Sequence, residues 1–162
     1  MKGKHTYLSL GSNLGDRLQN IKGAMELISQ LVGNPVAVSR VYESPPWGYT
    51  SKHLFLNCCL SLDSDLDPLP LMDVILSIEK TLGRERGKKG YTDRLVDIDL
   101  LFFGDKVINH SRLKIPHPAL AQRRFVLLPL AEIAPDFVHP VTGFTVKQML
   151  KRCQDRGSVR PV

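Results

Sequence analysis

Residues 93–103, DRLVDIDLLFF, constrain this chain more than any other stretch. From 94 to 103 the run is apolar and branched enough to read as a buried strand, yet Asp97 and Asp99 stand in its middle. On a strand, residues i and i+2 point to one face, about 6–7 Å apart. Ile98 and Leu100 therefore take the core, and both carboxylates share the opposite face. Two ionised carboxylates repel, and burying them without compensation is costly. Two compensations are open. One is ion pairing with Arg or Lys on an exposed sheet face. The other is magnesium, which takes one or two carboxylates together with phosphate oxygens and water. A pair at this spacing can hold two ions, the arrangement used in phosphoryl and nucleotidyl transfer.

The rest of the chain supplies neighbours for that strand. Residues 6–13 read as a strand that stops at Gly11. Apolar residues at 21, 24, 25, 28, 31 and 32 recur with a helical period across 15–33, and Gly33 ends that helix. Residues 35–44 form a β-branched strand, 45–53 a loop of Pro, Gly and aromatic residues, and 54–63 a further strand. Asp67 as N-cap and Pro68 as first helical residue open a second helix, which Gly83 closes. Beyond 103 come a turn and a short strand at 107–109. Residues 111–140 are proline-rich and hold short helical pieces at best, 145–153 fit a final helix, and the last residues read as frayed. The order β-α-β-β-α-β predicts an α+β, ferredoxin-like core. Its antiparallel sheet is flanked by helices packed on one face, and a C-terminal extension follows. The length of 162 residues suits one domain over 1–162. That fold serves many functions and settles no chemistry.

Charge narrows the partners. The net charge of +6 is concentrated: residues 83–94 hold five Lys/Arg against two acids and lead directly into the acidic strand. That juxtaposition reads as a phosphate–metal site or as a solvated linker. No Gly-rich phosphate motif of known spacing is present, so Arg84, Arg86 and Arg94 are the candidates for forked contacts to the phosphates of ATP. Glu79 falls on the apolar stripe of the second helix (Leu69, Met72, Ile75, Leu76, Leu82) and reads equally as an active-site carboxylate or as the partner of a loop arginine.

A second constellation is aromatic. Phe55 and Asn57 share one strand face, Trp47 lies in the loop before them, and Phe125 lies in QRRFVLLPL. Phe55 and Phe125 are placed to sandwich a flat heterocycle while Asn57 offers a donor and an acceptor to its edge. Ordinary core packing is the other reading of the two rings. The three cysteines lack metal or disulfide spacing and read as small buried hydrophobes. No run of about 18 apolar residues exists, and the apolar run near the start is too short for a signal peptide. A cytoplasmic protein without a membrane partner is the expectation.

Taken together, YLSLGSNLGDR, SPPWG, FLN, the run E-x4-R-x-R…R-x-x-D-x-D, and IPHP…RRFVLLPLAEIAP resemble the 6-hydroxymethyl-7,8-dihydropterin pyrophosphokinases of folate biosynthesis, in order, from about residue 6 to 140. The resemblance implies transfer of the β,γ-pyrophosphoryl group of ATP to the pterin hydroxymethyl group, with release of AMP. It implies that Asp97 and Asp99 hold two magnesium ions. Arg84 and Arg94 match loop arginines that contact ATP and assist transfer, Arg86 a loop arginine of lesser role, and Arg112 and His117 nucleotide-side positions. Glu79 and Arg123 match further active-site positions. Ser44, Pro45, Pro46 and Trp47 match the pterin-side loop, Asn57 the pterin-reading amide, and Phe55 and Phe125 the stacking pair. The partners implied are ATP and the pterin, with no nucleic acid and no membrane, and a monomer.

Three departures from the family pattern stand out. Tyr91, Thr92 and Asp93 replace a common Trp-Gly-Pro before the arginine, Pro118 replaces a Tyr, and Trp47 replaces a small apolar residue. An RNA-recognition module shares the element order and suits the sequence pI of about 9.4. It needs an aromatic recognition strand, which LFLNCCLS is not. A different two-metal transferase would share the acidic pair but has no use for the Asn57–Phe55–Phe125 set. An inactive relative is disfavoured because both aspartates and both loop arginines are present.

Overall fold

The computed structural model describes residues 4–83, 93 and 95–162. In chain order the elements are β1 (Lys4–Ser12), α1 (Arg17–Leu31), β2 (Pro35–Val38), β3 (Tyr42–Ser44), β4 (Phe55–Ser64), α2 (Pro68–Thr81), β5 (Asp97–Phe103), β6 (Ile108–His110), β7 (Leu113–Ile115), α3 (Arg124–Ile133), α4 (Val146–Arg152) and β8 (Arg160–Pro161). The sheet runs β5-β1-β4-β3-β8, with β2 also on β4, and every named pairing is antiparallel. The expected ferredoxin-like core is present.

Both central strands read as nearly continuous apolar runs because both of their faces are covered. Leu8, Leu10, Cys58, Leu60, Ile98 and Leu100 pack with Ile21, Ala24 and Ile28 of α1 and Leu71, Ile75 and Ile78 of α2. On the other face Tyr7, Cys59, Leu101 and Phe102 pack with Val126, Leu127 and Leu130 of α3 and Val146 and Met149 of α4. Helices thus lie on both faces, not on one. Cys58 and Cys59 are fully buried as expected, and burial pushes the Cys58 thiol up to about 12.

Four local expectations are revised. The strand at 35–44 is two strands, because the chain leaves the ladder at Ser39: its hydroxyl accepts the Cys59 N–H (3.0 Å), and the next N–H, of Arg40, donates to the Glu132 carboxylate. Residues 111–140 hold a ten-residue helix, α3, despite Pro129 inside it. The proline removes one backbone bond, but Val126, Leu127 and Leu130 bury completely against the sheet, and packing outweighs that loss. The C-terminal residues are not frayed: β8 pairs with β3, and the Val162 N–H donates to Val41. In α2 the fully buried face is Leu71, Ile75, Ile78 and Glu79, whereas Leu69, Met72 and Leu76 are only partly covered. That helix is apolar around most of its circumference, so periodicity alone does not select a stripe.

No helix among the described residues is long and apolar enough to cross a membrane.

Candidate active site

The sheet register assembles the site. Asp97 stands opposite Gly11 and Gly11 opposite Asn57; Asp99 stands opposite Ser9 and Ser9 opposite Cys59. Side chains alternate, so Ile98 and Leu100 enter the α1/α2 core, and the two carboxylates emerge half-buried on the α3 side. There a partly open cleft lies over the sheet, lined by both polar and aromatic side chains. Asp97 and Asp99 line one end; Ser44, Phe55, Asn57 and Phe125 line the other. Gly11 is the floor between them. A Cβ there would meet Asn57 Oδ1 at 3.3 Å and the Phe55 ring at 3.6 Å, so a larger residue would crowd both groups.

At the aromatic end Asn57 is 2% exposed, and its Nδ2 donates to Ser44 Oγ at 2.7 Å. That bond orients the amide across neighbouring strands, since Ser44 pairs with Phe55 in the ladder. Pro45 and Trp47 continue the wall, and Pro46 lies just outside with Asp155 and Gly157 of the C-terminal segment. The Arg124 N–H, at the start of α3, donates to Asp155 (3.2 Å), which ties that segment behind the Phe125 side of the cleft.

At the acidic end Arg123 and His117 converge on Asp99. Arg123 Nη1 lies 3.6 Å from Asp99 Oδ2, and its guanidinium stacks over Trp47 at 4.8 Å and near Phe125 at 5.8 Å. His117 is fixed beside β5 by its N–H donating to the Leu101 carbonyl (3.0 Å), and its Nε2 lies 3.9 Å from Asp99 Oδ1. Its Nδ1 accepts the Ala119 N–H (3.2 Å), which assigns the neutral-ring proton to Nε2. Burial, then the nearby Arg123 charge, lower its pKa to about 4 against a smaller opposing pull from Asp97. At neutral pH His117 is an uncharged donor facing the acidic pair.

Glu79 is 1% exposed and accepts the Ile98 N–H at 2.9 Å. Because among the described residues β5 pairs with β1 alone, this N–H points off the sheet edge; Glu79 satisfies it and holds the backbone between the two aspartates. Arg112 does not line the cleft: in the turn between β6 and β7 it pairs with Asp73 of α2. Arg84, Arg86 and Arg94, with Tyr91 and Thr92, lie outside the described residues.

The donor set suits magnesium better than a metal that needs a closed protein cage. Among the described residues no group of three His, Cys, Asp or Glu side chains converges on one point. Two carboxylates on an open cleft leave the remaining positions to water and phosphate oxygens, which magnesium tolerates and zinc does not.

Sequence reasoning missed Ser9, Gly11 and Tyr49 as cleft residues. The first two are separated from Asp97 and Asn57 by dozens of residues and become neighbours only through the register. Tyr49 was legible only as an aromatic in a Pro/Gly loop.

Fold and cleft together define an α+β protein with a small-molecule site, acidic at one end and aromatic at the other. The family model for 7,8-dihydro-6-hydroxymethylpterin-pyrophosphokinase (HPPK) matches residues 7–135, and the chain belongs to that family. It is 42% identical over 155 residues to the 2-amino-4-hydroxy-6-hydroxymethyldihydropteridine pyrophosphokinase of Methylorubrum extorquens, covering 95% of this chain and 96% of that protein. It is also 42% identical over 137 residues to the enzyme of the same name from Porphyromonas gingivalis, covering 83% and 92%. A crystal structure of an HPPK-DHPS in complex with substrates superimposes with a TM-score of 0.78 at 15% identity. That match covers 94% of this chain but 43% of the longer one, and it bears on the fold alone.

Proposed function

We infer that this protein transfers the β,γ-pyrophosphoryl group of ATP to the hydroxymethyl oxygen of 6-hydroxymethyl-7,8-dihydropterin, releasing AMP, in folate biosynthesis. The observation that carries the reading is a single cleft on one sheet face with the acidic pair at one end and the Asn57–Phe55–Phe125 set at the other. Family membership fixes the reaction class, and the two ends fit the two substrates.

Asn57 reads the pterin edge. Ser44 already occupies one of its donors, so the amide is pre-oriented and loses little freedom on binding. Phe55 and Phe125 stack on the ring faces, and Ser44, Pro45, Pro46 and Trp47 enclose it. Asp97 and Asp99 are the residues that would hold magnesium, two ions in this reading. When bound, magnesium neutralises phosphate charge and lowers the pKa of the attacking hydroxyl. Arg123 and a neutral His117 flank Asp99 at 3.6 and 3.9 Å, where they donate to phosphate oxygens without adding a second full charge beside Arg123. Arg84, Arg86 and Arg94 contact the nucleotide phosphates; Arg112, paired with Asp73 outside the cleft, joins them only if it leaves that pair. No side chain acts as nucleophile: the pterin oxygen forms the bond to the β-phosphorus, and the bridging oxygen leaves with AMP. Three buried, unpaired thiols fit a reducing cytoplasm.

The test is product identity. Incubated with ATP, magnesium and the pterin, the protein yields AMP only when all three are present. ADP in place of AMP would leave the fold assignment standing and overturn the reaction.

A further inference from the structure

Four residues before Asp97, Asp93 draws together two other parts of the chain, the end of β1 and the loop from 45 to 54. Its Oδ1 accepts from Asn13 Nδ2 at 2.8 Å and from the Tyr49 hydroxyl at 3.0 Å; its Oδ2 accepts from Ser51 Oγ at 3.0 Å. Asn13, which directly follows β1 and is 2% exposed, also donates to the His53 carbonyl at 3.1 Å. The Ser51 hydroxyl in turn accepts the His53 N–H at 3.1 Å. The loop from 45 to 54 contains no strand or helix, yet this knot closes it onto the strand ends that carry the site. One member, Tyr49, also lines the cleft.

The carboxylate suits the task. An ionised Asp is acceptor-only, so its two oxygens meet three donors with no proton to misplace. Burial pushes its carboxyl up, but the bonds from Ser51, Asn13 and Tyr49, with His53 nearby, outweigh that and hold it below the usual range. It stays charged at neutral pH.

We propose that Asp93 is a positioning residue for the pterin end of the cleft: it pins the 45–54 loop, through Tyr49, to the segment that enters β5. This rests on the function proposed above. It acts on the pterin wall rather than on the phosphates, and this separates it from a general stabilising role.

The experiment compares the unmodified protein with Asp93→Ala and Asp93→Asn at a temperature where circular dichroism reports all three folded. Asp93→Ala raises the KM for 6-hydroxymethyl-7,8-dihydropterin about tenfold and leaves the KM for ATP within about twofold. Asp93→Asn keeps one acceptor oxygen and recovers most of the loss. Tyr49→Phe and Ser51→Ala each raise the pterin KM, and neither adds to the effect of Asp93→Ala. If Asp93→Ala does not fold, the Tyr49→Phe/Ser51→Ala double variant carries the same comparison. Trp47, the single tryptophan of the chain, lies in the cleft and reports pterin binding by fluorescence without turnover. A protein that makes no AMP would thus sink the proposed reaction, while the Trp47 titration still decides Asp93. An unchanged pterin affinity in Asp93→Ala, an equal rise in both KM values, or additive effects with Tyr49 and Ser51 would overturn the proposal.

Discussion

On the face covered by α1 and α2, the side chains of the sheet meet an apolar core from end to end: Leu8, Leu10, Leu60, Ile98 and Leu100 are all 3% exposed or less. On the face covered by α3 and α4, the core runs from Phe102 and Tyr7 to Cys59 and then gives way to Ser9, Gly11, Asn57 and the two aspartates. The same strands build both faces. β5 makes the contrast sharpest, since Ile98 and Leu100 enter the dry side while Asp97 and Asp99 enter the cleft. A register shift opposite Tyr7 and Leu8 then sends both Leu101 and Phe102 into the second core, so the acidic stretch ends abruptly. A strand with two carboxylates is stable here because one face supplies the packing, while on the other Arg123 lies 3.6 Å from Asp99 and the cleft stays open to ligand and solvent.

The first way to break this comparison is to strip the wet face. Asp97→Ala is expected to lower the rate of AMP formation by on the order of 10³. Its resistance to urea changes little, because Asp97 lines the cleft and fills no part of the apolar core. A substantial loss of stability would mean that Asp97 is structural. The mirror experiment is on the dry face. Leu100→Ala opens a cavity under fully packed neighbours and costs about 2–5 kcal/mol in denaturant unfolding. In the folded fraction kcat stays within a few-fold of the unmodified protein; a complete loss of turnover there would show that the two faces are not independent.

The smallest expected effect sharpens the boundary between the faces. In the ligand-free protein His117 titrates near pH 4, followed by NMR of its ring protons, instead of at its ordinary 6.5. The sign follows from proton counting. Between those values the unfolded chain binds a proton that the folded chain does not, so stability is fully present above 6.5 and declines as pH falls toward 4. With a shift of this size the loss is about 3 kcal/mol. A His117 that titrates near 6.5 would mean that water reaches the ring and that this end of the cleft is wetter than the geometry indicates.

Much of this was readable before any coordinates. The alternation at Asp97–Ile98–Asp99 and the placement of Phe55 with Asn57 follow from the two-residue period of a strand. The β-α-β-β-α-β order follows from the periods of successive segments. Other features were not readable because their signal is not local. The break at Ser39 depends on a hydroxyl meeting an N–H twenty residues away. The helix around Pro129 forms against its own proline because the sheet rewards burial of three leucine and valine side chains. The terminal strand β8 exists only because β3 offers it an open edge. Glu79 was seen as out of place on an apolar helix, but one of its partners, the Ile98 N–H, is a backbone group that no residue pattern reveals.

By itself the sequence determined the β-α-β-β-α-β order of the core, the shared face of Asp97 with Asp99 and of Phe55 with Asn57, and the family. These rest on periodicity and motif spacing, which are properties of neighbouring residues. Only the tertiary structure decided that Gly11 lies between Asp97 and Asn57, that Arg123 and His117 close on Asp99, and that Asp93 binds Asn13, Tyr49 and Ser51. Each joins residues 18 to 86 positions apart in the chain, through strand register and loop closure, and no local preference encodes which of many alternative registers is chosen. Burial of one whole sheet face selects the register, and the site on the other face follows from it.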